Sequence, residues 1–409
     1  MNGKIMEMKN KAKTFLQKNL IPIMFMVITI LALIIRYELR DFASGDYDHF
    51  LSSWFNTIQQ KGGMVALKEN IGDYNIPYLV IMAILTYLPV NSLFSIKAVS
   101  IIFDLIGGLA VAKLVTMLTK EKETSKLMGL IAYAIFLFMP TVWLNSAVWA
   151  QCDIIYTTFI LISLICLFKE KYTSSFVFLG IAFAFKLQTI LIIPAYFYVW
   201  LSKRKFPLHF FGIILIMWIL GCLPACFFGR GLVDCMSIYF HQTGEWSDYL
   251  SMNFANVYSL IFNADGNGWV INGYDVLGKI GIIIASVIFI IMAIIIFYKK
   301  IKLTKIDIIE LSIWSIMLAT YLLPYMHERY TYVAEVLSLV YLLVKKDKQS
   351  AILFVGIMFI TLTRYIKYLF EFQILDLKTA AILNSILVVY LSGKLFKKFL
   401  CHNTIEEKE

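Results

Sequence analysis

The run Ile76-Pro77-Tyr78-Leu79-Val80-Ile81-Met82-Ala83-Ile84-Leu85-Thr86-Tyr87-Leu88-Pro89 decides how this chain is laid across a bilayer. Hydropathy alone reads it as a membrane span. It is opened by Pro77 and closed by Pro89, however, and it falls short of the roughly 20 apolar residues that a helix needs to cross a hydrocarbon core. Counting it as a span would also invert every segment that follows. With it left out, the clusters Lys120/Lys122/Lys126, Lys169/Lys171, Lys203/Arg204/Lys205, Lys299/Lys300/Lys302/Lys305, Lys345/Lys346/Lys348 and Lys394/Lys397/Lys398 share one face with the N-terminus, as the positive-inside rule requires. The run Ile76 to Leu88 is therefore read as an interfacial or re-entrant helix on the outer side.

Composition agrees with a membrane chain. Of 409 residues, 60% are apolar and 16% charged, against about 45–50% and about 25% in a soluble domain. The first span, Leu20 to Ile35, follows Lys4, Lys9, Lys11, Lys13 and Lys18 without a small-residue cleavage site, and reads as a retained signal anchor. Further helices are expected near 96–119, 127–142, 153–168, 173–186, 187–202, 207–226, 276–298, 306–324, 331–345, 350–368 and 377–394. The fold class is thus all-α: a polytopic bundle of about twelve transmembrane helices forming one integral domain over 1–409, with cytoplasmic termini. Two connections are long, one at about 36–94 that holds interfacial helices and one at about 229–275, and the same count puts both outside. The net charge of +10 sits in short clusters between apolar runs, so it orients the chain in a membrane and does not suggest nucleic acid. Six cysteines are scattered without the paired spacing of a zinc site. Disulfides are not expected, and Cys226 with Cys235 is the one pair worth testing.

The outer face gathers the unusual residues. Asp46 and Asp48 lie in Ser44-Gly45-Asp46-Tyr47-Asp48-His49-Phe50, and Asp73 and Tyr74 precede the Ile76 run. Trp149-Ala150-Gln151-Cys152-Asp153 forms one outer turn, Phe185-Lys186-Leu187-Gln188 another, and His327-Glu328-Arg329-Tyr330 follows the span that ends at Pro324. Each has a plain reading. An Asp before a helix commonly caps it, a lysine at a helix end snorkels, Glu328 neutralises Arg329 or Lys186, and the aromatics form an interfacial belt. Together they suit a reaction between an anionic lipid-linked donor and a hydroxyl acceptor. Arg329 grips phosphate with its planar fork, Lys186 adds a point charge, and Asp46 acts as general base toward the attacking hydroxyl.

The order of these elements resembles the GT-C superfamily of integral membrane glycosyltransferases: an early Asp-Tyr, Gly72-Asp73-Tyr74-Asn75-Ile76-Pro77-Tyr78, Trp149-x-Gln151-x-Asp153, Phe185-Lys186-x-Gln188 and Met326-His327-Glu328-Arg329-Tyr330. More narrowly it looks like the bacterial relatives of the enzyme that adds the second mannose to glycosylphosphatidylinositol. The resemblance implies inverting transfer of mannose, galactose or glucose from a polyprenyl-phosphate donor to a glycan, lipid or protein acceptor, at an extracytoplasmic site in the cell membrane. Asp46 best matches the catalytic aspartate, with Asp48 as the alternative; Ser53 stands where relatives often carry proline before Trp54. Lys186, Gln188, His327 and Arg329 would then bind the donor phosphate, supported by Asp73, Tyr74, Trp149, Gln151, Asp153 and Glu328. Metal dependence varies across the superfamily; the chain has few well-placed acids, so no metal or other cofactor is expected, although a divalent ion stays open. Two other readings remain at this stage, a transporter or flippase of a polyprenyl-linked intermediate and a surface-polysaccharide polymerase or ligase. Transport is disfavoured because almost no charge is expected between the two faces.

Overall fold

A computed structural model describes residues 2–245, 247–273 and 275–401, with side chains from residue 19 onward except those of 123, 243, 245 and 275. The side chains of Lys4, Lys9, Lys11, Lys13 and Lys18 thus lie outside the described residues. Helix α1 (Asn2–Glu38) leads into a folded connection that holds α2 (Ser52–Gln60) and α3 (Ile76–Leu85). There follow α4 (Ser92–Leu118), α5 (Lys122–Phe138), the short α6 (Pro140–Trp143), α7 (Asp153–Phe168), α8 (Tyr172–Phe185), α9 (Ile193–Lys203) and α10 (Phe211–Phe227). The second long connection contains α11 (Leu232–Glu245), β1 (Tyr249–Met252), α12 (Val257–Ile261) and β2 (Trp269–Ile271). The chain closes with α13 (Asp275–Tyr298), α14 (Lys305–Leu322), β3 (Met326–His327), α15 (Tyr332–Lys345), α16 (Lys348–Phe370) and α17 (Leu377–Leu400).

The decisive run forms α3. Asn75 caps it, accepting from the Ile76 amide, and Pro77 occupies the first turn, where a missing N–H costs nothing. Its 10 residues rise about 15 Å, about half of a hydrocarbon core. It does not lie loose on a surface: Ile76, Tyr78, Leu79, Met82 and Ala83 are buried where α3 meets α2, α8 and α10.

A helix stands at each expected span, but the count of about twelve crossings is not established. Among the described residues, six helices are long and apolar enough to cross alone: Asn19–Glu38, Ser92–Leu118, Leu208–Phe227, Val276–Tyr298, Lys348–Phe370 and Leu377–Leu400. Thr124–Phe138 with Pro140–Val148, bent by 52°, makes a seventh if the pair is one span. Elsewhere polar turns cut the apolar runs short. Helix α8 ends at Phe185, Lys186 is extended, and Leu187–Ile192 is a 3-10 turn before α9, so the expected 187–202 helix is not continuous.

Packing is close around α4. A Cβ on Gly108 would lie 2.9 Å from the Tyr133 ring of α5, and one on Gly107 would lie 2.8 Å from Ile154 of α7; glycine lets both neighbours approach. The expectation of almost no charge between the two faces needs qualifying. Buried Arg36 donates to Asp104 at 2.8 Å and to the Ala32 and Leu137 carbonyls, and Ser146 donates to the same Asp104 oxygen. Glu335, also buried, accepts from Thr141. Arg36 and Asp104 form an ion pair across helices, which the hydropathy of a single segment does not display, whereas Glu335 Oε2 has no hydrogen-bond partner among the described residues.

The two ends of the bundle differ. At one end, Lys205 pairs with Glu170 at 2.8 Å, Lys394 with Glu310 at 2.8 Å, and Lys398 with Asp307 and Glu310. At the other end, both long connections meet. There a small sheet in the order β2-β1-β3 joins the second connection to the segment after α14, with β1 antiparallel to β2 and parallel to β3, Met252 opposite His327.

Candidate active site

Asp46 sits eight residues beyond α1, on a segment that is tied down from two sides. The Lys97 ammonium donates to the carbonyls of Leu39, Arg40 and Phe42 at 2.9, 3.1 and 2.6 Å. Ser44 donates its hydroxyl to the Trp149 carbonyl at 2.8 Å and accepts from the Tyr47 amide. These contacts aim Asp46 inward. Its Oδ2 accepts from Trp149 Nε1 at 2.9 Å and Gln151 Nε2 at 2.7 Å, with an Arg329 guanidinium nitrogen at 3.4 Å. Its Oδ1 accepts from the Tyr368 hydroxyl. Asp48 is exposed and is not among the residues lining the cavity.

The Trp149–Asp153 turn supplies two of those donors. Its geometry begins at Pro140, which ends α5, followed by a single wide turn over Leu144–Val148. Ala150 then takes φ 62°, a left-handed conformation that costs an alanine about 1–2 kcal/mol. The reversal sends both Trp149 and Gln151 toward Asp46, and Gln151 in turn accepts from the Tyr74 hydroxyl at 2.8 Å. Burial pushes the Tyr74 phenol well up from its ordinary value.

Asp153 opens α7 in full burial. It accepts from Asn145 at 2.9 Å and pairs with Lys186. Arg329 Nε lies 3.7 Å from the same carboxylate, too far for a hydrogen bond, while the guanidinium carbon stands 5.4 Å above the Trp149 ring. Arg329 thus bridges two aspartates without a short bond to either. Lys186 lies between the rings of Tyr74 and Tyr156, 5.9 and 5.7 Å from their centres. Glu328 is buried and approaches His327 Nδ1 at 3.6 Å. The cations Lys186 and Arg329 are matched instead by Asp153 and Asp46, so the sequence reading of Glu328 as their neutraliser is replaced.

These residues surround a cavity of about 370 Å³. Asp46, Asp73, Tyr74, Gln151, Lys186, Gln188, His327, Glu328 and Arg329 all line it; Trp149 and Asp153 stand behind its wall and orient the residues that do. Desolvation raises the Asp73 carboxyl from its ordinary value. Sequence reasoning missed Tyr368, Tyr239, Gln242 and Trp269, which also face the cavity. Tyr368 follows Arg364, Tyr365 and Lys367 at the end of a helix whose middle is largely apolar, a polar-aromatic interruption that was the available signal. Trp269 gave none, because the short sheet that places it has no periodic pattern. Among the described residues no group of three or more His, Cys, Asp and Glu comes together. The six cysteines are free thiols, Cys226 and Cys235 included.

No curated protein matches the chain. The family model for glycosyltransferase family 87 matches residues 73–320, which takes in the Trp149–Asp153 turn and Lys186. That match agrees with the GT-C resemblance and favours transfer over transport; the narrower likeness to the second mannosyltransferase forms no part of it. The chain belongs to glycosyltransferase family 87, a family of GT-C-type membrane glycosyltransferases.

Proposed function

We propose that the protein is an inverting glycosyltransferase that moves a hexose from a polyprenyl-phosphate donor to an envelope glycan, lipid or protein acceptor, with Asp46 as general base. The observation that carries this reading is the placement of Asp46 in one cavity with Lys186, His327 and Arg329. Its Oδ2 is already occupied by two donors and faced by Arg329, whereas among the described residues Oδ1 accepts only from Tyr368, which leaves it a lone pair for an incoming hydroxyl.

In the proposed reaction the acceptor oxygen attacks the anomeric carbon and its proton passes to Asp46 Oδ1. The bond from that carbon to the phosphate oxygen breaks, and its electron pair leaves with the lipid phosphate. A phosphodiester becomes a monoester, so negative charge grows where Arg329 and His327 stand. Arg329 is suited to the task because its Nε carries no hydrogen bond among the described residues and its bond to Asp46 is long, at 3.4 Å, so the fork has a donor to offer phosphate while it stays beside both aspartates. Lys186 lines the same cavity and is held in place there by Asp153.

The basic turns lie at the end of the bundle away from the cavity, which by the positive-inside rule supports an extracytoplasmic site in the cell membrane. Asp46→Asn tests the assignment of the base. Transfer should fall by about 10²–10⁴-fold at unchanged protein level, while Asp48→Asn leaves it near wild type. Loss in the second variant and not the first would move the role to Asp48.

A further inference from the structure

Helix α11 (Leu232–Glu245) has two faces of opposite character. Cys235, Ile238 and Tyr239 are 0, 4 and 5% exposed, whereas Val233 and Phe240, two turns apart and therefore on one side, are 82 and 72% exposed. The buried side is anchored. Tyr239 donates to the Phe183 carbonyl and stacks on Trp218, Gln242 donates to the Asp73 carbonyl, and Arg230, two residues before the helix, reaches the Glu69 carbonyl and Asn70. Both Tyr239 and Gln242 line the cavity.

The exposed side continues another surface. Residues 208–227 are long and apolar enough to cross a membrane, and their outward residues Leu220, Leu223 and Phe227 lead to the start of α11. Phe227, on the last turn, is 85% exposed, and only residues 228–231 separate it from Leu232. Asp234 and His241 follow Val233 and Phe240 by one position, about 100° around the helix, and are exposed, so a polar edge flanks the apolar one.

We propose that α11 is a membrane-surface helix, with Val233 and Phe240 seated in the lipid interface as an extension of the lipid-facing side of α10, while its opposite side walls the cavity. The cavity is then one helix thick from the bilayer on this side. A substrate whose reactive head enters the cavity can keep an isoprenoid or acyl tail in the membrane beside α11. The placement of the helix does not depend on which reaction the cavity performs.

The test uses the full chain with Cys401→Ser, the exposed native thiol, reconstituted in phosphatidylethanolamine/phosphatidylglycerol vesicles. Single spin labels at Val233→Cys and Phe240→Cys should collide severalfold more often with oxygen than with a water-soluble nickel chelate, and labels at Asp234→Cys and His241→Cys should do the reverse. Gly244→Cys, on the same side three turns beyond Val233 and with open space around it, replaces either apolar-face variant that does not fold. Equal aqueous access at all four positions overturns the proposal. So does exclusion of both reagents from positions 233 and 240, which would place a second copy of the chain there. Because depth is read without turnover, failure here is distinct from failure of the transferase reading.

Discussion

Tyr368 and Lys186 separate chemistry from stability at the level of single residues. Tyr368 stacks on Trp149 with ring centres 4.6 Å apart and donates to Asp46 Oδ1. Tyr368→Phe keeps the stack and removes the donor, so the rate at saturating substrate should drop about tenfold while stability changes by about 1 kcal/mol. Thermal unfolding in detergent alongside a transfer assay measures both. Lys186→Met leaves the Asp153 carboxylate buried without its partner and should cost about 3–5 kcal/mol. Adding Asp153→Asn should restore most of the unfolding midpoint but not transfer; recovery of both would reduce Lys186 to a structural role. At this scale much was legible in advance, because an ionisable side chain in so apolar a chain needs a reason to be there. Asp46, Lys186 and Arg329 announced themselves in that way. Tyr368 did not, since a tyrosine on a membrane helix is ordinary until its partner is known.

The elements that hold the site depend on two backbone conformations. Gly72 has φ 72°, and a Cβ there would lie 2.4 Å from the Trp54 ring. Gly72→Ala should therefore displace Trp54, which lines the cavity, and cost about 1–3 kcal/mol, seen as a lower unfolding midpoint and weaker substrate binding. Ala150 tests the opposite case. Ala150→Gly relieves the left-handed strain and should be neutral or stabilising by up to about 1 kcal/mol with transfer retained, whereas Ala150→Val should lower both. Helix positions followed from apolar runs and from Pro77 at the start of α3, but the helix expected over 127–142 ran through Pro140, where the chain in fact breaks between α5 and α6. The sheet was hidden for a physical reason. Its strands have 4, 3 and 2 residues, too few for alternation to register, and they pair segments far apart in the chain. Tyr239, Gln242 and Trp269 reach the cavity through such long-range contacts, so they were missed with it.

For the whole molecule, membrane orientation is the first quantity to check. With Cys401→Ser, a membrane-impermeant maleimide should label Gly266→Cys in intact cells, because that position lies in the connection on the cavity side with open space around it. Lys348→Cys, among the basic turns at the far end, should be labelled only after permeabilisation. The reverse pattern would place the cavity inside and remove the argument for an envelope acceptor. The most direct test of the central claim is to incubate the purified, reconstituted protein with a panel of polyprenyl-phosphate hexoses and follow each donor. The account predicts that at least one is consumed, with release of polyprenyl phosphate, by the wild type and not by Asp46→Asn; donors left intact by both, or consumed equally by both, would contradict it.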